Sequence, residues 1–394
     1  MKRLEQRCRV LTVENETLKA EVEMYRKDGY LKASAETGRV SVGDSTQGDI
    51  TKDHFVQCGD GVYAQSKEVT LEKLHGISNP SCCALSMDDT LLATGGADQN
   101  LSLCQWGAAF GEDPGVVVEK AVRIACGAPV ISVGFARKAR SPFVAAGCMD
   151  GTVHVIRFET SGGLQAEEVA SQTIKHSKYV RAVCWNDHLL ASASADGCVQ
   201  LHKVIWNGFD DNIQLEKVKT LMLSGPVESL CFHKNYLVCY ARGTPHLCYF
   251  DLDEFELTKK NLNQGPGNAG FDDHVSFAVM DMCGHGDYLA LATDTSRNIV
   301  LEFDTGKQVR NLYGHKNDGF SQPKIAWSKN GKYLYGNTQE DSKICVWDIA
   351  STEIVKWLEG HTNPIRDMQS SSLTETLVTT SFDKKTHIWL ASST

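Results

Sequence analysis

Seven weakly similar segments follow one another along most of the chain, and this repetition constrains the fold more than any other feature. The two clearest copies are Lys-Ile-Cys-Val-Trp-Asp at 343–348 and Lys-Thr-His-Ile-Trp at 385–389. Weaker copies end at Cys104, Ile156, His202, Phe250 and Phe303. The steps between copies are 52, 46, 48, 53, 44 and 42 residues, a period at which each copy forms one structural unit and buries its apolar faces against its neighbours.

The pattern of residues from 66 onwards predicts β-strands. Short apolar runs alternate with Gly, Asn, Asp and Ser, and no long helical period occurs. Only five residues follow Trp389, too few for an outer strand of the last unit, whereas residues 66–74 form an alternating strand just before the first unit. We therefore expect strand 66–74 to complete the last unit, because this closure removes exposed strand edges.

Recurring dipeptides relate these units to a known family. Gly-His at 314–315 is followed by Trp-Asp at 347–348, and Gly-His at 360–361 is followed by Trp389. This pattern resembles the WD-repeat family, in which each unit supplies four antiparallel strands to one blade of a β-propeller. The resemblance covers residues 66–394 and implies an all-β, seven-bladed WD-repeat β-propeller.

The resemblance also implies a polar network inside the blades. In this family a His before the first strand, a hydroxyl in the second, a turn Asp and a Trp form a tetrad that satisfies buried polar groups. The seventh copy has His361, Thr379, Asp383 and Trp389 at these positions, and the sixth has His315, Asn337, Asp341 and Trp347. The first and third copies retain His75, Thr94 and Asp98, and His176, Ser192 and Asp196. We interpret these imidazoles and carboxylates as structural, and expect no enzyme activity.

A heptad pattern in residues 1–28 predicts a short coiled-coil helix ahead of the propeller. The residues on its seam are Leu4, Leu11, Asn15, Leu18 and Val22. An Asn that pairs with its symmetry mate favours a parallel, in-register arrangement, so we predict a parallel homodimer through this segment. Residues 29–65 are rich in Gly, Ser, Thr and Asp, and are expected to form a flexible linker.

Net charge and hydropathy disfavour several classes of partner. The chain has 40 Lys and Arg against 49 Asp and Glu, and its net charge of −9 does not favour nucleic acid. No stretch approaches 18 uninterrupted apolar residues, and the first residues lack the apolar core of a signal peptide. We therefore expect no membrane insertion and a cytoplasmic or nuclear location.

Neither the cysteine spacing nor a glycine-rich segment of the sequence predicts a cofactor. None of the fourteen cysteines forms a Cys-x-x-Cys pair, so the sequence predicts buried thiols and no metal site. Residues 265–270 match the Gly-x-Gly-x-x-Gly pattern of dinucleotide sites, but lack the strand before it and the helix after it. We therefore predict a loop there, and no cofactor.

Loops at one end of a propeller commonly bind partners through aromatic and arginine side chains. The candidate partner-binding residues, which follow the His176 loop and the two Gly-His dipeptides, are Tyr179, Arg181, Lys316, Phe320, Asn363 and Arg366. We expect a non-catalytic scaffold or adaptor that binds other proteins, with the coiled coil as its dimerisation segment.

Two other functions stay open at this point. Substrate receptors of ubiquitin ligases often carry Trp-Asp-x-Arg after a blade, and the segment 347–350, Trp-Asp-Ile-Ala, lacks the arginine. A non-catalytic subunit of an RNA-binding or RNA-modifying complex requires a basic stripe with aromatic side chains. The compact basic clusters considered for such a stripe are 137–140 and 384–385.

Overall fold

The computed structural model describes most of the chain from residue 67 onwards. The described residues are 67–106, 113–137, 142–160, 162–169, 174–187, 189–206, 213–263, 276–317 and 322–390. Ahead of them, the backbone of two short strands is described, β1 (Leu31–Ala33) and β2 (Val40–Val42), which pair antiparallel. The predicted coiled coil at 1–28, with its seam residues, lies outside the described residues, as does most of the predicted linker at 29–65.

The other described strands form seven antiparallel sheets, the blades of a β-propeller, which confirms the predicted all-β fold. The chain first forms β3 (Lys67–Glu72). Blade one contains β4 (Pro80–Leu85), β5 (Leu91–Gly96), β6 (Asn100–Gln105) and β7 (Val122–Ala125), with helix α1 (Pro114–Glu119) before β7. Blade two contains β8 (Val130–Phe135), β9 (Phe143–Cys148) and β10 (Thr152–Glu159), and its outer edge is split into β11 (Gln165–Glu168) and β12 (Ile174–Lys175). Blade three contains β13 (Val180–Asn186), β14 (Leu189–Ser194), β15 (Cys198–Ile205) and β16 (Gln214–Met222).

The remaining four blades follow the same order from the inner to the outer strand. Blade four contains β17 (Val227–His233), β18 (Tyr236–Ala241), β19 (His246–Asp251) and β20 (Leu257–Asn261). Blade five contains β21 (Val279–His285), β22 (Tyr288–Thr293), β23 (Asn298–Glu302) and β24 (Gln308–Leu312). Blade six contains β25 (Ile325–Trp327), β26 (Tyr333–Asn337), β27 (Ile344–Asp348) and β28 (Ile354–Leu358). Blade seven contains β29 (Ile365–Ser370), β30 (Thr376–Ser381), β31 (Lys385–Leu390) and the earlier strand β3.

Burial differs between the strands because every blade is packed between two others. The second strands, such as β5 and β9, are buried at every residue, since both of their faces contact a neighbouring blade. Outer strands such as β7 alternate between half-buried and exposed positions. Within the described part of the chain, no helix has the length and hydropathy needed to cross a bilayer.

Close packing between blades explains two small residues in these buried strands. A Cβ atom added at Gly95 would lie 2.4 Å from a methyl carbon of Val130 in blade two. One added at Gly147 would lie 2.6 Å from the equivalent carbon of Val180 in blade three. Both distances are below van der Waals contact, so any larger residue at these positions would push two blades apart.

Side chains of the inner strands join each blade to the next. Asp367 of blade seven accepts a 2.9 Å hydrogen bond from the backbone N–H of Cys83 in blade one. In the same way, the Ser132 hydroxyl accepts from Val183 N–H at 2.8 Å. The Asp281 carboxylate of blade five likewise accepts a hydrogen bond at 3.1 Å from a backbone N–H of blade six. These bonds satisfy backbone donors that face the central channel, where no further strand is available.

The two ends of the propeller interlock in blade seven. Strand β3 pairs antiparallel with β31 from Lys67↔Leu390 to Glu72↔Lys385. Leu71 is fully buried in this sheet. Because β3 comes from the start of the propeller and β31 from its end, the pairing closes the ring through main-chain hydrogen bonds.

The structure corrects the alignment of the fifth repeat. In blade seven, Trp389 pairs with Leu377, the second residue of β30. The second residue of β22 in blade five is Leu289, and it pairs with Leu301. Leu301 is therefore the equivalent of Trp389. The predicted copy end, Phe303, lies two residues further on, where its ring packs 5.2 Å from the Tyr249 ring of blade four. The alignment was wrong because it followed the nearest aromatic residue, which serves inter-blade packing here.

Closure of the ring predicts a large effect of truncating one side chain. Leu71→Ala removes a fully buried side chain from β3, and we expect it to lower the free energy of unfolding by about 2–5 kcal/mol. Urea unfolding followed by circular dichroism measures this loss. The control is Lys73→Ala, an exposed residue just beyond β3, which should change stability by less than about 0.5 kcal/mol. Equal effects of the two substitutions would contradict the role assigned to β3.

Candidate protein-interaction surface

A chain of hydrogen bonds fixes the loop that leads into blade seven. The indole N–H of Trp389 donates to the Thr379 hydroxyl at 3.0 Å, and this hydroxyl donates to Nε2 of His361 at 2.9 Å. The other ring nitrogen of His361, Nδ1, donates to Asp383 at 2.7 Å. All four residues of the predicted tetrad are therefore joined, and these bond directions correspond to the imidazole tautomer that carries its proton on Nδ1.

Blade one contains the same network without the tryptophan, and blade three contains its imidazole–hydroxyl bond with a longer approach to the carboxylate. His75 lies 2.8 Å from Asp98 and 2.9 Å from the Thr94 hydroxyl. In blade three, His176 lies 2.8 Å from the Ser192 hydroxyl and 3.4 Å from a carboxylate oxygen of Asp196. Burial lowers the pKa of His75 and of His176, although the carboxylates act in the opposite direction.

The predicted tetrad of blade six is not formed. Asn337 accepts a hydrogen bond from Lys324 N–H at 2.6 Å and donates to Ile365 carbonyl at 3.1 Å, so its amide joins inner strands instead of His315. Trp347 donates to the Tyr313 carbonyl at 2.9 Å. Among the described residues, neither ring nitrogen of His315 has a hydrogen-bond partner, and Asp341 is exposed. The amide at 337 is longer than a hydroxyl and reaches other partners, which explains the difference.

A repeated bulge places one side chain of almost every inner strand at the same end of the channel. In six blades the inner strand skips one residue in its pairing, next to its first residue. The residues left out of the ladder are Ser81, Ile131, Arg181, Glu228, Met280 and Arg366. In each of these blades, the N–H of the first residue after the second strand donates to the carbonyl of the residue just before the inner strand, so the two segments lie side by side. These donor residues are Ala97, Met149, Ala195, Arg242, Asp294 and Phe382. We call this end the channel mouth.

An ion-pair network spans blades three and four at the channel mouth. The carboxylate of Glu228, with a side chain only 3% exposed, pairs with Arg181 on one side and with Nε of Arg242 at 2.8 Å on the other. Arg242 also lies 3.9 Å from a carboxylate oxygen of Asp294. A buried carboxylate needs such partners, and here it holds two guanidinium groups in fixed positions.

Arg366 supplies a third guanidinium group from blade seven. It lies 4.6 Å from the centre of the Phe382 ring and donates to the amide oxygen of Gln322. Burial lowers the pKa of Arg366, and the charge of Arg181 lowers it further. Arg181 itself lies 5.5 Å from the centre of the Tyr179 ring. We define the arginine rim as Tyr179, Arg181, Glu228, Arg242, Asp294, Arg366 and Phe382.

The structure brings some of the sequence-predicted candidates together and separates others. Tyr179, Arg181 and Arg366 belong to the arginine rim. Asn363 is exposed beside it and donates to the Phe382 carbonyl at 3.3 Å. Lys316 is exposed and pairs at 3.1 Å with an exposed glutamate, a contact worth little energy. Phe320 lies outside the described residues.

Behind the channel mouth lies a cavity of about 480 Å³, lined mainly by residues of the inner strands. Lys324 and Asp367 form an ion pair of 3.1 Å inside it. Burial raises the pKa of Asp281, which also lines the cavity. Burial opposes the charge of Lys324, but Asp367 and Asp281 raise its pKa. Lys324 of the interior is therefore paired with a carboxylate, whereas the rim presents three guanidinium groups against two carboxylates.

Four residues of the arginine rim were not predicted, namely Glu228, Arg242, Asp294 and Phe382. The available signal was the step of about 50 residues between equivalent positions. Residues 81, 131, 181 and 228 follow one another at steps of 50, 50 and 47, so the position of Arg181 in its repeat predicts the positions of the others.

Comparison with known proteins found matches for parts of this chain. The family model described as "WD domain, G-beta repeat" matches residues 169–203, 306–348 and 352–389, which fall in blades two and three and in blades five to seven. A curated relative, "Retinoblastoma-binding-like protein E" of Dictyostelium discoideum, is 38% identical over 68 residues. That match covers 17% of this chain and 12% of the relative, so only a small part of the relative's length is shared.

The tetrad of blade seven predicts a stability loss that depends on the hydroxyl of one residue. Thr379→Val keeps the shape of the side chain but leaves Trp389 N–H and His361 Nε2 unpaired, at a cost of about 3 kcal/mol. Chemical unfolding measures this value. The matched control is Thr386→Val, since the Thr386 hydroxyl is buried without a hydrogen-bond partner among the described residues, and we expect a change below about 1 kcal/mol. A similar loss in both variants would show that the tetrad adds nothing.

His315 predicts a specific dependence of stability on pH. Burial lowers its pKa from 6.5 to about 4, so the unfolded chain binds the proton more tightly than the folded chain. Stability that is present above pH 6.5 is lost as the pH falls towards 4, by up to about 3 kcal/mol for this one group. His315→Gln should therefore lose less stability over this range than the unmodified chain. Trp347→Phe is the control, because it alters the adjoining packing but keeps the imidazole, and the pH dependence of its stability should be unchanged. If the stability difference between His315→Gln and the unmodified chain is the same at pH 7 and at pH 4, the prediction is wrong.

Proposed function

We propose that this seven-bladed propeller, which carries WD repeats, is a non-catalytic scaffold that binds a protein partner at the arginine rim. The observation that carries the proposal is the convergence of three arginines and two aromatic side chains from separate blades at the channel mouth. Arginine and tyrosine are among the residues that contribute most to binding energy in protein interfaces.

The chemistry of the arginine rim favours an acidic partner segment. The side chain of Arg242 is 41% exposed, whereas the side chain of Glu228, which accepts a hydrogen bond from its Nε, is buried. The guanidinium group of Arg242 is therefore held by Glu228 on one side and faces solvent on the other. Fixed guanidinium groups bind carboxylates through two parallel hydrogen bonds, and little side-chain entropy is lost on binding. The aromatic rings under Arg181 and Arg366 supply apolar area at the same place. We therefore expect an extended segment with Asp or Glu beside an apolar residue.

The relative found in the comparisons supports a protein partner. Its printed name describes it as retinoblastoma-binding-like, and protein binding of this general kind is what we propose for the present chain. The predicted coiled coil at 1–28 extends the proposal, because a parallel homodimer would present two arginine rims to one partner and raise the apparent affinity.

Substitution of the arginine rim tests the proposal. Proteins retained by the full chain from a cell extract are compared with those retained by an Arg181→Ala, Arg366→Ala double variant. We expect the double variant to lose the partner or bind it at least about tenfold more weakly, since central arginines cost 2 kcal/mol or more when truncated. A direct titration with the partner's acidic segment then gives the affinity, which should fall as salt is added.

The matched control removes two positive charges elsewhere. Lys219→Ala and Lys356→Ala lie on the outer strands β16 and β28, away from the channel mouth. This variant should retain the same partners as the unmodified chain. Partner retention that is equal in the rim variant and in the control would refute the proposed surface.

A further inference from the structure

Blade two lacks the histidine network and replaces it with a different set of side chains. Cys126 lies four residues before the inner strand, as His176 and His361 do in blades three and seven. At the hydroxyl position of the second strand, blade two has Ala146, which lies opposite His154 as Thr379 lies opposite His387. The loop into blade two is therefore not fixed by an imidazole bonded to a hydroxyl.

Two thiols and one imidazole converge at this place. The ligand atoms of Cys126, Cys148 and His154 all lie within 4.8 Å of one another. They come from three separate segments, which are the loop before β8, the end of β9 and the third residue of β10. Both cysteines are buried and the histidine is half-buried.

The imidazole is oriented as a metal ligand would be. Nδ1 of His154 lies 2.5 Å from the Glu168 carboxylate on the outer strand, so this nitrogen carries the proton. Nε2 lies 3.2 Å from the Thr152 hydroxyl, whose single proton is taken by its shorter contact of 2.5 Å with Asp150. The lone pair of Nε2 therefore receives no proton from Thr152 and is available to a ligand. Histidines that bind metals almost always donate their other N–H to a carboxylate in this way.

Blade seven contains the equivalent positions and shows what differs. His387 there pairs with Glu68 of the outer strand, as His154 pairs with Glu168. However, His361 has both ring nitrogens occupied by Thr379 and Asp383, so that cluster is already saturated. In blade two, the thiol of Cys126 contacts a carbonyl at 3.8 Å and also the thiol of Cys148, and sulfur is a poor hydrogen-bonding atom.

We propose that Cys126, Cys148 and His154 form a zinc site that takes the place of the histidine network in blade two. Two thiolates and one imidazole are ligands that zinc prefers, and a water at the half-exposed edge of the site completes four-fold coordination. A tetrahedral ion with Zn–S bonds of about 2.3 Å needs its sulfur atoms about 3.8 Å apart, so side-chain rotation has to bring the two sulfur atoms closer by about 1 Å at most. The two thiol protons are released to solvent when the ion binds.

Such an ion would join three parts of the blade beside the channel mouth. Cys148 immediately precedes Met149, an exposed residue of the channel mouth, and Cys126 belongs to the loop before the inner strand. The metal would therefore hold the loop and the turn of blade two together, as the imidazole does in blades one, three and seven. Spacing along the sequence did not predict it, because the two cysteines are 22 residues apart.

Zinc binding to the full chain tests the site directly. The untagged protein is purified under reducing conditions, supplied with zinc, dialysed and analysed for metal content. We expect one zinc ion per chain at this site, and in cobalt-loaded protein the thiolate-to-cobalt charge-transfer band of a tetrahedral site. Competition with a chromogenic chelator then gives the affinity. Glu168→Gln should weaken it by about 10–100-fold, because this residue only orients the imidazole.

Variants separate the site from general effects on folding. Cys126→Ser and His154→Gln should each lose the stoichiometric zinc, and the half-buried position of His154 makes its variant the safer one for folding. The matched control is Cys239→Ala, from a buried pair with Cys248 on neighbouring strands. This variant should retain zinc, and circular dichroism should show a folded propeller in all variants. Zinc below one equivalent in the unmodified chain, equal zinc content in all variants, or a Cys126–Cys148 disulfide in the reduced preparation would each overturn the proposal.

Discussion

Pairing of β3 with β31 is the constraint on which the rest of this structure depends. A single blade has four strands and two broad apolar faces, and it cannot bury both faces by itself. Each blade is covered by its two neighbours only when the ring is complete, as the fully buried strands β5 and β9 show. Main-chain hydrogen bonds between the first and last strands therefore stabilise every blade, including those far from the closure.

Ring closure also defines a rigid mouth on which side chains from different blades meet. The bulge near the start of the inner strands repeats in six blades, and the residue left out of the ladder is an arginine in two of them and a glutamate in a third. Arg181 and Arg366 are more than 180 residues apart in the sequence. Together with Glu228 they nevertheless contribute to one charged surface. The strand order is thus the same from blade to blade, and we place the binding chemistry in a few exposed positions.

Polar networks hold the loops of the blades in three different ways. Blades one, three and seven use an imidazole between a hydroxyl and a carboxylate. Blade six buries His315 without such partners among the residues that the structure describes, and it bonds Asn337 to the inner strands. Blade two has two thiols and an imidazole, for which we propose zinc as the joining group. These solutions share one physical requirement, since a loop packed between two blades must satisfy its polar atoms or bind an ion that does so.

The amino-acid sequence by itself determined the fold class, the number of blades and the tetrad of blade seven. These follow from a period and from residue types at fixed positions, which are local properties of the chain. It did not determine that Asn337 turns away from His315, that Leu301 rather than Phe303 is the equivalent residue of blade five, or that Glu228 and Arg242 join Arg181. Only the tertiary structure decided these contacts, as it did the meeting of Cys126, Cys148 and His154. Each depends on distances between segments that are remote in sequence, and those distances are set by the packing of complete blades.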